Sequence, residues 1–209
     1  MMYRLQHLAM TAGAGLAALL LAGCASSPPE RFYSLSTGMG APAARPAAAM
    51  PANYFIEVSA VNVPKQVARH QLVVSTGEGR MDLLEQERWT SQPDAEIGQA
   101  LSQVVSGALG VADVFRTATP EGATIYRIST NVQRFESAPG RYALIDATWS
   151  VRKVGSKDTL TCRTIANETV GAGYDALVAG HRRAVARLGT DIAAAVTALA
   201  AGGSASCQS

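Results

Sequence analysis

The chain of 209 residues has few histidines, cysteines and charged residues, the residue types on which metal sites, catalytic sites and nucleic-acid-binding surfaces depend. Its three histidines and three cysteines are scattered, and charged residues make up 16% of the sequence, with a formal net charge of +2 at pH 7. A nearly neutral chain lacks the dense basic field that nucleic acid requires. The cysteines also lack the paired spacing of a zinc site. We therefore expect neither nucleic-acid binding nor a metal centre.

The sequence patterns of common catalytic and cofactor sites are missing as well. The sequence has no GxSxG, HExxH, Walker or dinucleotide-binding pattern. His70 and His181 stand in unrelated contexts, and neither has a partner at ligand spacing. The sequence therefore predicts no catalytic residue, no cofactor-binding residue and no metal ligand, and it favours a non-enzymatic protein.

What the chain does have at its start is the pattern of an export signal. Arg4 and His7 precede an apolar to weakly polar stretch over residues 8–21, which is too short to span a bilayer but has the order of a secretory signal. The following LAGC ends at Cys24 and resembles the lipobox of bacterial lipoproteins, in which the peptide is cut before the cysteine and the thiol carries diacylglycerol. The alternative is an ordinary signal with Cys24 as a structural thiol.

Acylation of Cys24 would hold the mature chain on a membrane without a transmembrane helix, because more than one long acyl chain makes attachment effectively permanent. Ala25 follows the cysteine, and the lack of Asp at that position predicts, by resemblance to lipoprotein sorting rules, the outer membrane. We expect four segments: a signal peptide at 1–23, a lipidated N-terminus with a short strand and an Ala/Pro-rich loop or tether at 24–53, the domain at 54–201 and a flexible tail at 202–209.

Two more cysteines, Cys162 and Cys207, remain in the exported chain. Two thiols in an oxidising compartment suggest one disulfide. It would tie the C-terminal tail to a predicted strand and stabilise the fold by about 3 to 4 kcal/mol. The alternative is a buried Cys162 and a free Cys207 on a disordered tail.

Alternation of apolar and polar residues predicts strands along most of the chain. We expect the last three to form an antiparallel meander, because Pro139-Gly140 and Gly155-Ser156 supply turns between them. The predicted strands are 31–35, 54–64, 71–76, 80–89, a short one beginning at Val114 and Phe115, and long ones beginning at Thr124, Tyr142 and Thr159.

Helical periodicity is found in two segments. Residues 93–109 have one apolar face, Pro93 in the first turn and Gly110 just past the end. Residues 174–201 form a longer amphipathic helix with a basic cluster on its polar face. That cluster either is a solvated helix face or contacts phospholipid headgroups. It consists of Arg182, Arg183 and Arg187.

The lipobox, RFYSL at residues 31–35 and VNVPKQVARHQLVVSTGEGRMDLLEQERW at residues 61–89 together resemble the ABC-type transport auxiliary lipoproteins, typified by paraquat-inducible protein C. The similarity covers nearly the whole mature chain, including GYDALVAGHRRAVARLGTDIA at residues 173–193. The chain departs from the family pattern at His70, where members often have proline, and at residues 91–93.

The resemblance implies an outer-membrane lipoprotein that faces the periplasm and works with MCE-domain periplasmic proteins (PqiB-like) and an inner-membrane transport component. Together these would form a lipid route between the membranes that supports envelope integrity, in which this chain docks or guides. A homo-oligomer is a further expectation. The implied fold is α/β, a layered sandwich with a central mixed, largely antiparallel sheet and two main amphipathic helices. A second hypothesis is an envelope-assembly lipoprotein that acts as a plug or chaperone of another outer-membrane machine.

Docking needs an exposed surface whose burial against a partner lowers the free energy. Trp and Arg are enriched among the residues that contribute most to binding. Arg88 and Trp89 are therefore candidate partner contacts, together with Arg69 and Gln71 beside the start of a predicted strand. Trp89 precedes a helix directly, so its alternative role is to fill the core. Arg69 and Gln71 have two alternative roles: they fix the turn before their strand, or they pair with Glu57 or Glu87.

Overall fold

The structure is a computed structural model that describes residues 28–37, 53–203 and 205–207. The predicted signal peptide, Cys24 and most of the Ala/Pro-rich segment lie outside these residues. Within them, alternating and helical apolar patterns form the following elements: β1 Arg31–Tyr33, β2 Tyr54–Val58, β3 Gln71–Gly77, β4 Arg80–Trp89, α1 Pro93–Leu109, β5 Thr124–Ala138, β6 Tyr142–Lys153, β7 Leu160–Thr169 and α2 Tyr174–Ala200.

The strands lie in two sheets. The smaller has the order β1-β4-β3, with β1 parallel and β3 antiparallel to β4. The larger has the order β2-β5-β6-β7, in which β2 is parallel to β5 and the remaining pairs form the antiparallel meander predicted from the sequence. The α/β class with mixed, largely antiparallel strands is thus confirmed, and the strands divide between two sheets.

Both helices pack on the sheets, α2 against α1, β6 and β7, and α1 also against β2. Their crossing is close because Gly189 has no side chain: a Cβ there would lie 2.5 Å from Cγ1 of Val104. In the part of the chain that the structure describes, neither helix combines the length and the apolar content needed to cross a membrane.

Strand β6 shows why the sequence folds this way. Its odd-numbered side chains from Ala143 to Val151 point to one side, as strand alternation requires, and each is at most 3% exposed. The apolar stripe of α2 covers the larger sheet and excludes water from it, with Leu177, Val185, Leu188 and Ile192 all at 0% exposure. This shared burial is the main stabilising contribution to the fold.

Two strand predictions need correction. Val114 and Phe115 do not begin a strand; Asp113 just before them forms a single bridge with Ile56 and the chain then turns. The reason is that the Asp113 carboxylate accepts the backbone N–H groups of Val58 and Phe115 at 3.2 and 3.0 Å, replacing a strand ladder. The strand predicted over 54–64 ends at Val58.

A disulfide joins Cys162 on β7 to Cys207 in the tail. It closes a loop with a sequence separation of 45 residues that includes all of α2. The end of the chain is therefore tied to the edge strand of the larger sheet, where Cys162 is 5% exposed.

His181 is the most deeply buried titratable group of the core, at 0% exposure. Its ring stacks on Phe135 with 4.1 Å between the centroids, and its Nε2 lies 2.8 Å from the Ser137 hydroxyl. Nδ1 has no hydrogen-bond partner among the described residues. Burial lowers the pKa of His181 to about 3, because the charged imidazolium would lose its hydration. This Ser–His pair therefore serves packing in the core.

The depressed pKa of His181 predicts a pH-dependent stability. Below about pH 6.5 the unfolded chain protonates this histidine, whereas the folded chain does so only near pH 3. The free energy of unfolding should therefore fall as the pH falls between these values, by up to about 1.4 kcal/mol per pH unit from this residue. Urea unfolding at several pH values, compared with His181→Leu, measures the effect.

The matched control is His70→Asn, which changes an exposed histidine. His181→Leu should reduce the acid dependence between about pH 6.5 and 4.5 more than this control does, while the loss of stability at lower pH that comes from carboxylates should remain in both variants. An equal slope for the protein and for His181→Leu would contradict the assignment.

Candidate functional site

Strand pairing places one row of side chains across the smaller sheet. Phe32 on β1 is opposite Arg88 on β4, and Arg88 is opposite Gln71 on β3. Directly opposed residues share a face of a sheet, so these three side chains form a continuous strip. We name Phe32, Arg88 and Gln71 the cross-strand row. Two of its members, Arg88 and Gln71, are contacts predicted from the sequence.

The row combines an apolar group with oriented polar groups. Phe32 is 58% exposed, the largest value among the exposed large hydrophobic residues in the described part of the chain. Arg88 donates to Oε1 of Glu30 at 2.7 Å, and Gln71 donates to Oε2 of Glu85 at 3.2 Å. Aromatic residues and Arg are enriched at protein interfaces, so the row has the chemistry of a docking surface.

Arg69 lies two residues before β3, at the same end of that strand as Gln71. Its side chain is half-buried, and Nε has no hydrogen-bond acceptor among the described residues. A buried donor without an acceptor costs free energy. The structure thus places Arg69 at the end of β3 that carries Gln71, with one buried donor unpaired among the described residues.

Trp89, the fourth predicted contact, lies elsewhere. It is 2% exposed and its ring packs beside Phe135 and His181, with centroids 6.0 and 6.1 Å away. It follows Arg88 directly, so strand alternation turns it to the opposite face of β4. The structure therefore gives Trp89 the core role, and Phe32 supplies the exposed aromatic group of this surface.

Strand β1 is held in place by a buried carboxylate on the inner face of β4. Glu87 is 4% exposed, forms an ion pair with Arg31 and accepts the Tyr33 hydroxyl at 2.6 Å. Burial, with a further contribution from the bond to Glu87, raises the pKa of Tyr33 to about 12. The tyrosine therefore stays a donor at every physiological pH.

A second buried carboxylate, Glu96 in the first turn of α1, holds the chain just after β1. Its Oε2 accepts the Leu35 N–H at 2.7 Å and the Ser34 hydroxyl at 3.0 Å. Its Oε1 accepts the hydroxyls of Thr90 and Ser91 at 2.6 and 2.7 Å. Burial acts to raise the pKa of Glu96, but these hydrogen bonds outweigh it and leave the pKa below its usual value.

Helix α2 completes this attachment. Arg182 donates from Nε and Nη2 to the carbonyl oxygen of Ser34, at 3.0 and 2.7 Å. Arg183 pairs with Glu168 and Arg187 with Asp191. The basic cluster predicted on this helix is therefore engaged within the chain. Glu87, Glu96 and Arg182, which we name the β1 clamp, fix the position of Phe32.

The sequence offered little to reveal the clamp. Glu96 reads as an ordinary acidic residue near a helix N-terminus. The signal that could have pointed to it is the run Thr90-Ser91, which supplies hydroxyl donors just before the helix. Glu87 lies in a segment of mixed charge, and its burial depends on β1, which reaches β4 from more than fifty residues away in sequence.

A groove of about 550 Å³ lies on another part of the surface, between α1, the end of β2 and residues 113–117. Its lining is mixed and includes Val61, Asp94, Gln99, Ser102 and Phe115. The carboxylate of Asp113 in its wall already accepts hydrogen bonds from the Ser102 hydroxyl and from the backbone N–H groups of Val58 and Phe115. Among the described residues, no three acidic, His or Cys side chains are grouped as a metal would require.

Comparison with known proteins gives a family and a fold. The family described as "ABC-type transport auxiliary lipoprotein component" matches residues 33–193. A search of curated proteins finds no match. The crystal structure of an uncharacterized protein aligns with a TM-score of 0.63 at 18% identity, covering 79% of this chain and 97% of its own. A Xanthomonas campestris protein aligns with a TM-score of 0.56 at 15% identity, covering 78% and 92%. At these identities the two structures support the fold.

The clamp predicts the effect of Glu96→Gln. The amide keeps the shape but offers a single acceptor oxygen for several donors, so the free energy of unfolding should fall by about 2 to 4 kcal/mol. Amide exchange of residues 31–36 should rise more than exchange in β6. Urea unfolding and hydrogen-exchange mass spectrometry measure both. Glu85→Gln, at an exposed carboxylate, is the control and should change neither.

Proposed function

We propose, from the premise that the chain belongs to the family of ABC-type transport auxiliary lipoproteins, that it is an outer-membrane lipoprotein subunit of an MCE-type system. This system moves lipid between the two membranes and supports envelope integrity. It faces the periplasm, anchored by acyl chains on Cys24 after removal of residues 1–23. Its part is non-enzymatic: it docks the periplasmic MCE-domain protein, which connects to the inner-membrane transport component.

The observation that carries this proposal is the β1 clamp. The strand that begins seven residues after Cys24 is a full member of the smaller sheet, held by Glu87, Glu96 and Arg182. A lipid on Cys24 would therefore position the body of the domain close to the membrane surface. A long tether between the lipid and the fold would leave that position undefined.

The cross-strand row supports the docking role. It lies beside the residues that follow the anchor, and it exposes an aromatic ring next to Arg88, whose guanidinium is held by Glu30. A rigid side chain loses little entropy on binding, so a preorganised row favours association. Phe32, Gln71, Arg88 and the neighbouring Arg69 are the contacts that we assign to the MCE-domain partner.

Self-association belongs to the same proposal, because an oligomer would repeat the row around a closed ring. Cyclic symmetry repeats one interface in every copy, so each copy would present the same row in an equivalent position. A ring of docking rows would present several Phe32 side chains to one partner.

The anchor predicts the behaviour of Cys24→Ala. This variant should appear as unprocessed or soluble protein, because acyl attachment needs the thiol, while its domain should remain folded. Membrane fractionation and mass spectrometry of the mature N-terminus measure the change. Ser26→Ala, two residues further on, is the control and should stay acylated and membrane-bound. A mature N-terminus without fatty acid in the unsubstituted protein would refute the anchor, whereas an unprocessed Cys24→Ala precursor would stay with the membrane through its retained signal segment.

The docking surface predicts a cross-linking pattern in intact cells. A photoreactive amino acid at Phe32 should capture the MCE-domain protein, because that side chain is exposed within the proposed contact. The same probe at Gln99 tests the groove beside α1, and Ile165, 57% exposed on β7, is the matched control. Mass spectrometry identifies each captured protein.

Capture at Phe32 and none at Ile165 supports the proposal. Capture from Gln99 with none from Phe32 would move the docking surface to the groove and contradict the assigned residues. Recovery of an outer-membrane assembly barrel without any MCE-domain protein would replace the proposed function with a role in envelope assembly.

A further inference from the structure

We propose that the tip of the β3–β4 hairpin touches the membrane itself, with Met81 and Leu83 in the interfacial layer of the leaflet that carries the lipid anchor. This inference rests on the proposed function, since it requires an acylated Cys24. It adds a second contact with lipid, made by the folded domain.

The first observation is the exposure of two apolar side chains on one face of the hairpin. Met81 is opposite Ser75 and Leu83 is opposite Val73, so both lie on the face that also carries Gln71. They are 43% and 42% exposed. On β3, Leu72 and Val74 of the other face are at most 4% exposed, and Val73 opposite Leu83 is 7% exposed, so the exposed apolar surface of the hairpin lies on β4.

The second observation is the direction of the chain that leads to the anchor. β1 runs parallel to β4 with Arg31 opposite Glu87, so the chain before Arg31 heads towards the beginning of β4, where the hairpin tip lies. Only three residues lie between Cys24 and Pro28, the first described residue. At no more than about 3.5 Å per residue, the chain cannot place the Cα atom of Cys24 farther than roughly 14 Å from that of Pro28.

The third observation is the separation between the tip and the cross-strand row. Ser75, opposite Met81, is four residues from Gln71 along β3, which corresponds to about 14 Å. The tip can therefore rest on lipid while the row remains in the periplasm. One face of a single small sheet would then contact the membrane at one end and a protein at the other.

The composition of the hairpin tip favours a lipid surface as the partner that it contacts. Met81 and Leu83 share one face of β4 and are flanked by charged side chains, a pattern that suits the boundary between headgroups and acyl chains, where apolar side chains insert and charged ones stay in water. A tethered surface needs little intrinsic affinity, because the anchor raises the effective concentration of the membrane. Glu78, Arg80 and Asp82 alternate in sign around the tip, so the contact suits zwitterionic phospholipid and does not depend on anionic lipid.

The experiment uses the full acylated protein in phosphatidylethanolamine and phosphatidylcholine vesicles whose acyl chains are brominated. Both native tryptophans are at most 3% exposed, so a tryptophan introduced at the surface gives the new signal. Met81→Trp and Leu83→Trp should each show a blue-shifted emission that bromine quenches by roughly half, because interfacial side chains enter the upper acyl region. Ile165→Trp on β7 is the matched control and should remain unquenched.

Each outcome decides the proposal. Quenching at positions 81 and 83 but not at 165 supports it. Vesicle-bound protein without quenching at 81 and 83, or with equal quenching at 165, overturns the tip contact alone. A blue shift at 81 without quenching would show that a second protein copy covers the tip, and overturns it as well. Protein that carries no acyl group and does not float with vesicles overturns the proposed function, and the tip contact with it.

Discussion

The carboxylate of Glu96 is buried in the first turn of α1 and accepts hydrogen bonds from Leu35, Ser34, Thr90 and Ser91. These donors come from the two chain segments that leave β1 and β4, so one side chain joins both strands to the helix. A buried carboxylate is stable only when its lone pairs are satisfied, as they are here. The position of β1, and every surface built on that strand, depends on this interaction.

This constraint gives the domain a defined orientation relative to its N-terminus. Glu87 accepts a hydrogen bond from Tyr33 and so joins β1 to β4, and Arg182 of α2 donates to the carbonyl oxygen of Ser34 just after β1. Strand β1, which begins seven residues after the predicted lipid site, is thus part of the packed body. In a lipoprotein of a transport family, a body held in this way can present one surface to a partner with little loss of entropy on docking.

The resemblance to the family and the class of the fold could be predicted because they rest on local patterns. Residues 93–109 and the meander from Thr124 carry clear periodicity, and the structure reproduces both. The docking residues were predicted less well. Trp89 and Arg88 are neighbours in sequence, but strand alternation sends one into the core and the other to the surface, and which one goes inward depends on what covers each face. Phe32 was not predicted as a contact, because a phenylalanine in a short strand is typical of a buried position.

The sequence by itself determined the helices, the long strands and the turns that join them, since backbone preferences and apolar periodicity act over a few residues. It also predicted Cys24 as a lipid site, because enzymes read that motif in the unfolded precursor. Only the tertiary structure decided which carboxylates are buried, which aromatic group is exposed and where the chain leading to the anchor points. Those properties depend on contacts such as Leu35 with Glu96, 61 residues apart, whose geometry exists only after the chain has packed.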